Sequence, residues 1–162
     1  MMPIDRTLDL NVYVVGQEYS TPKNPVNFGA QVAYIEIASN PSSPGLVDFR
    51  TGNIDLTHLV QDPSKFASNV DITFTLVPFM FDKNGNPVQA QWATPINRAI
   101  VITPESPEMT ASYVDPMKIL LDDNDDNSNR YQYKLAFVLP AYDNYFISLD
   151  PVIVNKGGGG GR

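Results

Sequence analysis

The chain has 162 residues, 43% hydrophobic and 18% charged, which is the size and composition of one folded domain rather than a disordered segment. It has no cysteine and one histidine, which excludes disulfide scaffolds, zinc–thiolate sites, cysteine nucleophiles, blue-copper centres and any site built on two imidazoles. The formal charge of −7 argues against a phosphate-backbone binder, so no nucleic-acid partner is expected.

The first residues, Met1 to Thr7, carry no secretory core, and the apolar runs are only strand-length. A cytoplasmic location with no membrane partner is therefore expected. Period-2 alternation then dominates the chain, as half-buried strands require. Leu8, Leu10, Val12 and Val14 alternate with Asp9, Asn11 and Tyr13. Ala33, Ile35 and Ile37 alternate with Tyr34 and Glu36, and Ile54, Leu56, His58 and Val60 with Asp55 and Thr57. Asp62-Pro63 is a helix-start pair and predicts a turn or two of helix through Ala67. Val70, Ile72, Phe74 and Leu76 against Asp71, Thr73 and Thr75 form the clearest strand.

Phe79-Met80-Phe81 and the Val88–Trp92 segment flank Asp82 to Pro87, whose Asn84-Gly85 pair predicts a hairpin. Ala99 to Thr103 reads as a buried strand. Asp115-Pro116 opens a stretch, Met117 to Leu120, that fits a helical turn or a strand. Tyr131, Tyr133, Leu135, Phe137 and Leu139 make one stripe; Tyr145, Ile147 and Leu149 make another, which Val152 to Val154 extends past Pro151.

Fourteen prolines cut these segments and blunt sheet edges. The fold class expected is all-β: an antiparallel β-sandwich of about seven to nine strands with one or two short helical turns, spanning residues 1–155 as a single domain. A closed barrel is the alternative. Residues 156–162 read as a Gly-rich tail.

Motifs for chemistry are scarce. There is no phosphate-cradling glycine loop, no HExxH and no GxSxG. His58 lies on an apolar stripe, where a core imidazole is a plainer reading than a general base, because no nucleophile can be anchored to it. Glu36, Glu105 and Glu108 are the carboxylates whose convergence would make a glycoside-type hydrolase. The run Asp122 to Asn129 is built of oxygen-bearing side chains and has a hard-cation composition. Asp122, Asn124 and Asp126 fit the first three ligand positions of an EF-hand, but Asn127 and Tyr133 stand where its glycine and glutamate belong. These three are candidate ligands for Ca²⁺; the plainer reading is a solvated loop with no cofactor. Seven acids and one base between 105 and 126 carry −6 of the charge, leaving the rest near neutral.

Seventeen aromatic side chains, eight of them Tyr, include candidates for a ligand or partner surface: Tyr13, Tyr19 and Tyr142. Tyr133 and Trp92 read as core.

Three stretches carry a resemblance: Leu8 to Val15, Ala33 to Ala38, and the aromatic strand Tyr131 to Phe137 with the closing Leu149-Asp150-Pro151-Val152-Ile153-Val154. Together they resemble the bacterial inclusion-body proteins of the PixA/AidA type, with Leu149 where that family usually has an aromatic residue. The resemblance implies a β-sandwich with no assigned catalytic residue, a bacterial source and self-association. The functional expectation is a non-enzymatic sandwich acting through a homodimer or larger self-assembly, or through another protein. The alternatives are a carbohydrate- or small-ligand-binding module, Ca²⁺-assisted in one version, and a carboxylate-type hydrolase.

Overall fold

Alternation of apolar and polar residues builds two facing sheets in the computed structural model, which describes residues 3–59, 62–104, 106–124, 130–149 and 152–154. The chain opens with β1 (Ile4–Tyr19) and β2 (Asn27–Asn40), a long antiparallel hairpin. Its turn is held by the Thr21 amide on the Asn24 carbonyl at 2.8 Å and the Asn24 amide on Thr21 Oγ1 at 3.0 Å. After β3 (Ile54–Asp55) comes β4 (Phe66–Phe81), which returns beside β1 and parallel to it. The remaining elements are β5 (Pro87–Val88), β6 (Gln91–Trp92), α1 (Ile96–Ala99), β7 (Ile100–Thr103), β8 (Met109–Asp115), β9 (Lys118–Asp123), β10 (Arg130–Leu139), β11 (Tyr145–Leu149) and β12 (Val152–Val154).

The first sheet runs β2-β1-β4-β9-β8, with β5 paired to β4. The second runs β11-β10-β12-β3, with β6 and β7 on β10. Leu8, Leu10, Val12 and Val14 of β1, and Val70, Ile72, Phe74 and Leu76 of β4, face Tyr133, Leu135, Phe137 and Leu139 of β10 in one core. Phe74 and Tyr133 meet across it, ring centroids 5.4 Å apart. The sandwich expected from the sequence is the fold observed; twelve strands are described where seven to nine were expected, four of them of only two or three residues.

Several local expectations are corrected. The sandwich is not wholly antiparallel: β1 with β4, and β12 with β3, run parallel. A parallel neighbour needs a return along the sheet, which β2 supplies: it ends opposite Thr7, and β4 begins opposite Ile4 at the same end of β1. The stretch from Ile54 to His58 is a strand only to Asp55; Leu56–His58 is a 3₁₀ turn, because the Asp55 carboxylate accepts from the Thr57 amide at 3.0 Å and from its hydroxyl. Val60 lies outside the described residues. After Asp62 there is a single turn, in which the amides of Lys65 and Phe66 donate to the Asp62 carbonyl, and Phe66 already belongs to β4.

Val88 pairs with Met80 as the hairpin requires, but Trp92 crosses to the second sheet and pairs with Phe137. Its indole draws it there, donating to the carbonyls of Met117 (2.9 Å) and Phe74 (3.2 Å). A helical turn, α1, takes Ala99. In β7 Ile100 is buried while Val101 is exposed, so this strand covers the core with one face only. Met117 sits in a tight turn and Lys118 to Leu120 are strand. Val152–Val154 does not extend β11; it is a separate strand on the other half of β10. The tail, 156–162, lies outside the described residues.

Candidate functional site

The polar outer face of the first sheet is divided lengthwise. Side chains at alternate positions of β1, β4 and β9 point away from the core, and at one end three of them are carboxylates. Asp71 of β4 lies directly across from Asp122 of β9 and from Thr7 of β1. Asp5, Asp71 and Asp122 each place an oxygen within 4.8 Å of the other two. Burial, reinforced by the charges of Asp5 and Asp122, raises the Asp71 carboxyl from 3.8 to about 6. Beside them the Asn69 amide donates to Asp122 Oδ1 at 3.1 Å and to Asn124 Oδ1 at 3.0 Å.

The Ca²⁺ candidates are thus partly regrouped. Asp122 and Asn124 are brought together, but they converge on the Asn69 amide, and Asp126 lies outside the described residues. The oxygens available to a hard cation come from Asp5, Asp71 and Asp122 instead. Sequence reading missed Asp5 and Asp71 because each is one polar position in an alternating strand. Only the parallel pairing of β1 with β4 brings the two onto one patch.

Eight residues along the same strands the face becomes apolar. Tyr13 stacks on Phe79, centroids 6.4 Å apart and planes 8° from parallel. Val15 (52%), Phe79 (46%) and Tyr19 (50%) are exposed, and Ile35 of β2 lies opposite Asn11. A shallow groove of about 510 Å³ runs along Val15, Gln17, Tyr19, Gly29 and Gln31. Tyr13 and Tyr19 therefore share this surface. Tyr142 does not: its hydroxyl donates to Glu18 Oε1 at 2.9 Å and its ring packs edge-on against Phe28, closing the end of the sandwich. That bond to Glu18 raises the Tyr142 phenol above its ordinary range.

His58 is neither core nor general base in a cleft. The 3₁₀ turn carries its side chain to the surface, 62% exposed, with Nε2 3.2 Å from Asp55 Oδ2. Glu36 and Glu108 sit at opposite edges of the first sheet, four strand spacings apart across it and offset along the strands as well, so more than about 19 Å separates them. Glu36 accepts from the amides of Leu46 and Val47 at 2.9 and 3.2 Å. Glu108 is buried and accepts from the Tyr131 hydroxyl at 2.7 Å. Both are occupied in holding backbone and core together; Glu105 lies outside the described residues.

Two further clefts flank the edge strand β8. One, about 370 Å³, opens between β7 and β8 and is lined by Ile96, Ile100, Ile102, Met109, Ala111 and Leu121, with Asn97 and Ser106 at its polar margin. The other, about 220 Å³, lies against Trp92, Thr94, Tyr113 and Asp115. Neither cleft, nor the groove along Val15, is lined by two carboxylates. Among the described residues, no helix is long and apolar enough to cross a membrane. No family model matches the chain, and no curated protein matches it.

Proposed function

We propose that this protein is a non-enzymatic β-sandwich that works by associating with copies of itself through the apolar end of the first sheet's outer face. The observation that carries the reading is the separation of Tyr13, Val15, Ile35 and Phe79 from Asp5, Asp71 and Asp122 along the same strands. Eight strand residues put about 26 Å between Asp71 and Phe79. At physiological salt the screening length is about 8 Å, so the acidic end does not oppose contact at the apolar end. A two-fold axis lying across the strands at the apolar patch would turn the acidic ends of two copies away from each other. Self-association is also what the resemblance to inclusion-body proteins implies.

Sedimentation velocity at micromolar concentration and two salt levels tests it. The expected result is a dimer or larger species that strengthens with salt. Phe79→Asp is expected to return it to monomer with little change in thermal midpoint. A wild-type monomer at both salt levels overturns the reading.

The parallel Tyr13–Phe79 ring pair favours a second reading, a module on which sugar rings stack. Protection of Tyr13 resonances by oligosaccharides, with the chain monomeric, would select it.

A further inference from the structure

The strand β8 is an open edge, and hydrogen-bond parity fixes which of its groups are open. The Asn124 amide donates to the Glu108 carbonyl at 3.0 Å, in register with the Met109–Asp123 pair that follows. Residues 108, 110 and 112 therefore exchange bonds with β9, and Ala111 and Tyr113 turn their N–H and C=O groups away from it. Among the described residues, no backbone group bonds them on that side. The side chains of Met109 and Ala111 face inward and form one wall of the 370 Å³ cleft, whose opposite wall is Ile100 and Ile102 of β7, an edge of the second sheet. Backbone donors and acceptors thus run along the rim of an apolar slot.

Charge surrounds this edge. Asp115 ends the strand and is exposed, and Thr110 pairs directly with Asp122, which stands beside Asp71 and Asp5. The positive groups near it are Lys118, opposite Asp115, and Arg98 of α1, whose guanidinium lies over the Phe146 ring at 5.0 Å. An added strand would lie two strand spacings from Asp122, about 10 Å, within reach of an extended basic side chain.

We propose that β8 binds an extended polypeptide segment as an added strand, with apolar side chains at alternate positions entering the cleft and basic side chains between them lying over the acidic outer face. Main-chain bonds to Ala111 and Tyr113 supply the pairing, and the slot and the carboxylates supply the choice of sequence. This site is separate from the self-association surface and does not depend on it.

The probe is a capped heptapeptide alternating lysine and isoleucine, added to the full chain and followed by amide exchange and calorimetry. Binding should slow exchange at Ala111 and Tyr113 about tenfold or more while leaving Ala33 and Ile35 unchanged. The same peptide N-methylated at alternate amides should lose binding, and a glutamate–isoleucine peptide should bind at least about tenfold more weakly. Ala111→Pro removes an outward N–H without touching the β9 ladder and should abolish binding. Unchanged exchange at Ala111 and Tyr113, or equal binding of the N-methylated peptide, overturns the proposal whether or not the proline variant folds. Protection of these amides that grows with protein concentration and without peptide would make a second copy the occupant, and also overturns it.

Discussion

Asp71 and Asp122 face each other as direct neighbours on β4 and β9, and Asp5 of β1 completes a triangle of carboxylates within 4.8 Å. Like charges placed opposite one another on a sheet are destabilising. Burial first, and the charges of Asp5 and Asp122 after it, raise the Asp71 carboxyl from 3.8 to about 6. Between those values the folded chain keeps a proton that the unfolded chain has released. Unfolding free energy therefore falls as pH rises through the window, and the whole penalty is in place above it. Asp71→Asn is expected to stabilise the protein by ~1–2 kcal/mol at neutral pH, allowing for screening of a half-buried group, and to flatten the profile between about pH 4 and 6. Urea midpoints across that range would show it. A variant less stable than wild type at neutral pH would mean that the carboxylate is needed for a bond rather than tolerated.

Salt should act on the same triangle. Raising NaCl from about 0.05 to about 0.5 M shortens the screening length to a few ångströms, which weakens the repulsion among three partly exposed carboxylates. The thermal midpoint is expected to rise by a degree or two at pH 7, and by less at pH 4, where Asp71 is protonated. Equal shifts at the two pH values would place the salt effect elsewhere.

Trp92 is expected to matter beyond its apolar area. Its indole N–H serves two carbonyls, Met117 at 2.9 Å and Phe74 at 3.2 Å, and so ties β6 to the first sheet through a buried side chain. Trp92→Phe removes that donor, although the Met117 carbonyl keeps the Leu76 amide at 2.8 Å, and it opens a cavity, for a loss of ~1–3 kcal/mol. The urea midpoint should fall with an unchanged slope, which separates loss of stability from a change in the folded state.

The strands that alternate cleanly, such as Leu8 to Val14 and Val70 to Leu76, were legible because each buries one face and wets the other. So were the Tyr131 to Leu139 stripe and the burial of Trp92 and Tyr133. The turn at His58 was not legible: the Asp55 carboxylate competes for the Thr57 amide, and a local capping bond overrides an alternating pattern. Pairing was not legible either, since β1 and β4 look alike whether they lie parallel or antiparallel. That pairing decides the candidate sites, because it sets Asp5 beside Asp71 and Tyr13 beside Phe79. Arg6 shows the same limit. Its sequence neighbours suit an exposed terminus, yet it is buried with its guanidinium on the Ser68 carbonyl.

The loop between β2 and β3 offers a paired test of how the two sheets are joined. Gly52 has φ +75, a left-handed conformation, and its carbonyl accepts the Tyr133 hydroxyl at 2.7 Å. A Cβ there would stand 2.7 Å from the ring carbons of Tyr34, a buried side chain. Gly45 has almost the same φ, +76, and nothing within 4 Å of the corresponding position. Gly45→Ala therefore measures the backbone strain alone, ~1–2 kcal/mol. Gly52→Ala adds overpacking against Tyr34 and disturbs the Tyr133 bond, for a further ~1–3 kcal/mol. The difference between the two variants in equilibrium unfolding isolates the contact from the conformation. Equal losses would mean that Tyr34 yields without cost, and that the loop is held by its backbone geometry rather than by the core beneath it.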